Sequence, residues 1–277
     1  MKIILTGTGS PLPDPHRAGP STVITTASTT ILVDAGRAVV MRLAASGIIP
    51  PFLSAVVLTH LHSDHICDLN DVVTTHWVMS PEPTDLHVYG PKGTAEVVDG
   101  LLMMLDSDIR YRMTHHADLH EAPRVVVHEL EAGQRFLVGD VSVLTGATDH
   151  GPVKPSLGYR FTGEGVSAVV AGDGVPCAGL DELVRGADAY VQTVVREDLV
   201  RLVPRQRFNE ILSYHSTVQQ AANTAQRGGV QTLVLTHFIP APSPGEYDGW
   251  RALASDFDGV VVTGDDLTQV SVTPPPS

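Results

Sequence analysis

The stretch Thr59-His60-Leu61-His62-Ser63-Asp64-His65 packs three imidazoles and a carboxylate into six residues, directly after the apolar run Ala55-Val56-Val57-Leu58. Side chains two apart on extended backbone point the same way, so His60 and His62 can grip one cation together. Asp64 and His65 follow after the chain turns and can face a second cation beside the first. Nitrogen-rich ligation with one or two oxygens suits zinc best, with manganese, iron or cobalt as substitutes. With 13 His and 21 Asp among 277 residues, a chance His-x-His-x-Asp-His match is expected roughly 0.002 times. The pattern therefore reads as a metal-binding loop at a strand end.

The rest of the chain has to house that loop. A hydrophobic fraction of 43% is ample for a buried core, and no stretch reads as a linker, so we expect one domain over residues 1–272 with 273–277 as a loose tail. The apolar start Met1 to Leu5 is interrupted by Thr6-Gly7-Thr8-Gly9, and no run reaches signal-peptide or membrane-span length, which gives a cytoplasmic expectation with no membrane partner. Cys67 and Cys177 fit a reducing compartment and read as small buried apolar residues. A formal charge of −13 opposes long-range attraction of polyanions, which favours a small-molecule substrate over nucleic acid.

Short β-rich segments dominate the first third: Lys2 to Leu5, Thr22 to Thr26, Thr30 to Asp34 and Ser54 to Leu58. Gly36 to Ser46, Asp64 to Met79 and Gly93 to Leu105 read as helices. Strands are expected at His87 to Tyr89, Val125 to His128, Phe136 to Thr145, Tyr159 to Phe161 and Val166 to Ala171. Leu180 to Arg185, Tyr190 to Val195, Thr217 to Arg227, Thr232 to Thr236 and Val260 to Val272 complete a mixture that two helix-covered sheets would accommodate. Gly7-Thr8-Gly9 follows a strand, but the proline-rich Ser10 to Pro15 cannot open a helix for a pyrophosphate, so a dinucleotide site is excluded.

Three more apolar strands deliver metal-competent side chains to their ends: Thr148-Asp149-His150, Gly172-Asp173-Gly174 and Thr236-His237-Phe238. Together with Leu5 to Ser10, Arg17 to Thr22 and Asp34-Ala35-Gly36, these make the sequence resemble the metallo-β-lactamase superfamily, in the branch of ribonuclease Z and arylsulfatase-like proteins. The resemblance spans nearly the whole chain. It implies an α/β fold, a four-layer αββα sandwich with two metals at the sheet edge. It also implies that His60, His62 and His150 hold one metal, Asp64, His65 and His237 the second, and Asp173 both. A homodimer is a family expectation only.

That ligand set implies a dinuclear hydrolase, two Zn²⁺ ions activating a bridging hydroxide. Asp64 and His215 are the candidate catalytic side chains. His215 lies in Tyr214-His215-Ser216-Thr217, which matches a family motif whose histidine helps the leaving group depart, while Ser216 or Thr217 caps the following helix. Two departures separate the chain from ribonuclease Z. Gln192 and Thr193 stand where that family has a His-Glu pair, and only 22 residues separate His150 from Asp173, too few for a tRNA-gripping arm. Gly174 also replaces a frequent threonine, whose hydroxyl would support Asp173. The leading expectation is therefore hydrolysis of a small phosphodiester or sulfate ester. Ribonuclease Z-type tRNA 3′ cleavage and lactone or lactam hydrolysis are the alternatives, and a metal-free binding protein on the same scaffold is the non-enzyme one.

Other polar features read as peripheral. Thr114 to His120 reads as a solvated loop or a lid over the site. His76 is a helix residue near His65 or a packing partner of Trp77, His16 and Arg17 are candidate substrate contacts, and Asp34 is a structural carboxylate.

Overall fold

Along the central strands, neighbouring residues are buried on opposite faces, and a strand apolar on both faces must be covered twice. The computed structural model of the chain describes residues 1–274. Among them, one sheet holds β1 (Lys2–Gly7), β2 (Ser21–Thr25), β3 (Thr30–Val33), β4 (Ala55–Val57), β5 (Asp85–Pro91), β6 (Arg124–Leu130) and β14 (Gln269–Ser271), in the order β14-β1-β2-β3-β4-β5-β6. The second holds β7 (Arg135–Val138), β8 (Val141–Ala147), β9 (Leu157–Gly163), β10 (Val166–Val170), β11 (Ala189–Val195), β12 (Thr232–Ile239) and β13 (Val260–Val262), in the order β13-β12-β11-β10-β9-β8-β7.

Ile3, Leu5, Ile24, Ile31 and Val57 of the first sheet meet Val143, Tyr159, Phe161, Val170 and Val191 of the second in the central core. The alternate residues Ile4, Val23, Leu32 and Val56 face outward beneath helices α1 (Val39–Ala45), α3 (Leu69–Met79) and α4 (Thr94–His115). On the other side Val169, Tyr190 and Leu233 lie beneath α5 (Ala178–Val184) and α8 (Val218–Gly228). The expected αββα layers result, and each added layer removes apolar surface from water at about 25 cal/mol per Å².

The topology brings the site together. β3, β4 and β5 run parallel, as do β10, β11 and β12, and β8 reaches the same edge because two antiparallel pairings separate it from β10. The segments leaving β4, β8 and β10 and the end of β12 therefore share one edge. Bonds between the layers hold that edge closed: Tyr159 Oη donates to Leu58 O at 2.7 Å, Leu157 N to Thr59 O at 2.9 Å and Phe238 N to Thr8 O at 3.1 Å.

Several elements differ from the sequence expectation. The helix expected over 64–79 is two, α2 (Ser63–Ile66) and α3, because Asp68 turns back to accept from Ala38 N while its own N–H bonds Ala35 O. The strand expected over 136–145 is the β7–β8 hairpin, turned at Gly139 with φ 54°. Residues 260–272 split between β13 and β14, one in each sheet. Helix α4 runs ten residues past Leu105. No sequence expectation covered residues 196–213, which form α6 (Glu197–Val200), α7 (Gln206–Glu210) and a 3₁₀ turn at Ile211–Ser213. The cysteines are corrected too: Cys67 is exposed just after α2, and Cys177 is half-buried at the start of α5. Among the described residues no helix is long and apolar enough to cross a membrane. Of the tail expected at 273–277, residues 275–277 lie outside the described residues.

Candidate metal centre

All seven candidate ligands converge at that edge. His60, His62, His150 and Asp173 bring their ligand atoms within 4.8 Å of one another, and so do Asp64, His65 and His237. His62 Nδ1 lies 3.1 Å from His60 Nε2 and 3.2 Å from His150 Nε2. Asp173 Oδ2 stands between the groups, 3.8 Å from His60 Nε2 and His150 Nε2, 3.4 Å from His65 Nε2 and 3.6 Å from His237 Nε2. Asp64 Oδ2 is 3.2 Å from His237 Nε2 and 3.7 Å from His65 Nε2.

The outward ring nitrogens of His60, His65 and His150 are held. Asp34, with φ 61°, accepts from Thr59 N at 2.8 Å and sits 2.8 Å from His65 Nδ1. Thr59 Oγ1 donates to Asp34 Oδ2 at 2.9 Å and therefore accepts from His60 Nδ1 at 3.0 Å. His150 Nδ1 donates to Tyr214 O at 2.9 Å. A proton fixed on each Nδ1 leaves the Nε2 lone pair facing inward, the arrangement that orients metal-ligating histidines. Asp34 is thus the structural carboxylate expected of it.

The residues fit divalent cations. His65 Nε2 and Asp173 Oδ1 are buried without a hydrogen-bond partner, a costly state for polar atoms that a cation would relieve. Burial, reinforced by His65, holds His60 well below the usual imidazole pKa, and burial lowers His62 and takes His150 to about 4. These rings are neutral donors. Burial opposes ionisation of Asp173, but His237 and His65 hold it well below the carboxylate range, and a hydrogen bond from His237 likewise outweighs burial at Asp64. His65 is shifted well up despite burial, since Asp173 and Asp34 flank it, so positive charge is favoured where a cation would lie.

His215 joins the cluster, 94% buried, its Nε2 3.3 Å from Asp173 Oδ2 and its Nδ1 3.1 Å from Ile211 O. The Ile211 carbonyl thus orients His215. Gln192 Nε2 and Thr193 Oγ1 instead bond Gly172 O, at 3.2 and 3.1 Å, and brace the backbone beside Asp173. Sequence reasoning missed the two carbonyls, Ile211 and Tyr214, because a backbone acceptor leaves no mark on residue type. A cleft of ≈400 Å³ opens over the cluster, walled by Leu12, Arg207, Phe208, Ile211 and Tyr214.

The peripheral residues settle elsewhere. Thr114 and His115 end α4, about 30 Å along its axis from Gly93, whose added Cβ would lie 3.0 Å from Leu61 Cδ1, so that stretch is no lid. Asp118 to Glu121 instead border Trp77. His76 is buried on α3 with no bond to the cluster, and burial lowers its pKa. Arg17 contacts no site: it is buried against Thr8 Oγ1, Tyr247 Oη and Asp265, at 2.7, 2.8 and 3.0 Å. His16 is exposed beside it.

Fold and site together define a metal-dependent hydrolase built on the metallo-β-lactamase sandwich. A family model described as "Beta-lactamase superfamily domain" matches residues 29–238. Proteins named Ribonuclease Z from Mycobacterium bovis (strain BCG / Pasteur 1173P2) and Mycobacterium avium (strain 104) are 50% and 51% identical over 277 and 278 residues, 99% of this chain and of each relative. Among solved structures, human tRNase Z, short form, superposes with a TM-score of 0.71 at 22% identity, covering 99% of this chain and 100% of that one. The metallo-β-lactamase fold protein YhfI from Bacillus subtilis gives 0.73 at 21%, covering 97% and 98%. The chain belongs to the metallo-β-lactamase superfamily, in its ribonuclease Z branch.

Proposed function

We propose that the chain is a ribonuclease Z-type endonuclease that hydrolyses an RNA phosphodiester on the 3′ side of a tRNA precursor. The observation that carries this is end-to-end identity of 50% with a protein named Ribonuclease Z. It reverses the order favoured by sequence, where small phosphodiester or sulfate esters came first. The absent arm loses its weight as a counter-argument, because an alignment of 277 residues over 99% of that relative leaves it no room for such an arm either.

His60, His62, His150 and Asp173 would hold one cation and Asp64, His65 and His237 the other, with Asp173 near both; zinc suits these donors best. Divalent cations there supply Lewis acidity and lower the pKa of water toward neutrality. The protein supplies the rest. Asp34, Thr59 and the Tyr214 carbonyl keep the imidazoles of His65, His60 and His150 aimed inward. His215, fixed by Ile211 O beside Asp173, is placed to give a proton from Nε2 to the departing oxygen.

The test is a panel of substrates given to zinc-loaded protein: a tRNA precursor with a 3′ trailer, an aryl phosphodiester, an aryl sulfate and a lactone. Site-specific cleavage of the precursor, lost in His65→Ala, is expected. Turnover of the sulfate or lactone with the RNA left intact would overturn the reading.

A further inference from the structure

We propose that the strap 196–214, between β11 and His215, is the surface that grips single-stranded RNA entering the cleft, with Arg205 and Arg207 on phosphates and Phe208 against a base. This rests on the phosphodiesterase reading above and adds the element that does the gripping in a chain whose segment between His150 and Asp173 holds only β9, β10 and turns.

Charge is the first argument. The chain carries 18 Lys and Arg in 277 residues and a net charge of −13, yet four arginines fall between Arg196 and Arg207. Two of them are neutralised locally, Arg196 by Asp198 at 2.6 Å and Arg201 by Glu197 at 2.5 Å. Arg205 and Arg207 are exposed and have no ion-pair partner among the described residues. They are free cations in an acidic protein, Arg207 on the wall of the cleft over the candidate metal centre and Arg205 two residues before it, where a polyanion has little else to hold.

Placement is the second. Arg207 and Phe208 both line the cleft above His62, Asp64, Asp173 and His215. Its ≈400 Å³ lies at the small end of ligand pockets and suits one nucleotide of a strand rather than a duplex. An arginine fork holds a phosphate bidentately, and an aromatic ring stacks on any base. The acid on the same wall, Glu210, is engaged by Gln206 Nε2 at 2.9 Å.

Rigidity is the third. Val200, Ile211 and Leu212 pack the strap onto Val195 and Ile239. Asn209 Nδ2 donates to Val203 O and Arg205 O, both at 3.2 Å, and closes the turn that carries the two arginines. A strap so anchored presents its cations without a large ordering cost on binding.

The experiment measures binding of a labelled single-stranded oligoribonucleotide to zinc-loaded full-length protein by fluorescence anisotropy across a salt series. A His215→Ala background slows cleavage. Arg205→Ala with Arg207→Ala is expected to flatten the slope of log K against log[salt] by about 1.4, two phosphate contacts at ~0.7 each. Phe208→Ala is expected to weaken binding about ten-fold with the slope unchanged. Arg185→Ala, at the exposed C-terminal end of α5 and outside the cleft lining, serves as control, and zinc content verifies folding. An unchanged slope in the double variant, an equal loss in the control, or no RNA binding by the parent protein each overturns the proposal. Normal cleavage of precursor by the double variant sinks the strap alone, whereas strap-dependent binding without cleavage by wild-type protein sinks the nuclease reading alone.

Discussion

Gly174 is the residue at which backbone geometry, rather than side-chain chemistry, decides identity. Its φ of 151° lies where glycine is favoured, and a Cβ added there would sit 2.9 Å from Asp149 O. Read as sequence, the missing threonine hydroxyl looks like lost support for Asp173. Ser216 Oγ provides support instead by donating to Gly174 O at 2.8 Å, while Gln192 and Thr193 hold Gly172 O on the other side. Gly174→Thr, which restores the more frequent family residue, is therefore expected to destabilise the protein by ~1–3 kcal/mol and to lower zinc content. Thermal unfolding and metal analysis check this, and a variant as stable and as zinc-rich as the parent would refute the strain argument.

At the level of elements, the N-cap of α8 lies two residues after His215, so the helix N-terminus sets where that histidine's backbone lies. Thr217 caps it: its Oγ1 accepts from Gln220 N at 3.1 Å while Gln220 Oε1 accepts from Thr217 N at 2.9 Å, a complete capping box. Thr217→Ala is expected to cost ~1 kcal/mol and to lower kcat more than it raises KM, with zinc content unchanged. A loss confined to stability would separate the cap from the site. The ligand-bearing strands and this cap were legible in the sequence because each is a local pattern: an apolar run followed by His or Asp, or a Ser-Thr pair ahead of a helix, which left Ser216 or Thr217 as the cap. The strap 196–214 was not, since its short helices lack a sustained apolar period and its contributions are carbonyls of Ile211 and Tyr214. His116 to His120 form the solvated loop expected of them, but Thr114 and His115 belong to α4, because charged residues after Leu105 hide a helix that continues with only one side half-buried.

For the whole molecule, the candidate centre is a clasp between two sheets. His60, His62, Asp64 and His65 come from the segment after β4, whereas His150, Asp173 and His237 come from the second sheet. The unfolded chain cannot assemble ligands spread over nearly 180 positions, so cations that bind the folded state alone stabilise it, by about 2.7 kcal/mol per site when free metal is a hundred times its dissociation constant. In a chain of this length a kcal/mol shifts Tm by roughly 2–4 °C. Stripping zinc with a chelator is thus expected to lower Tm by about 10–20 °C if both sites are filled to that degree. The drop should be about half as large in Asp64→Ala, whose second group of ligands is broken while the first remains. Calorimetry on the parent and variant, with and without chelator, reads both values. A parent whose Tm ignores the chelator would mean that the seven side chains meet without holding the sheets together through metal.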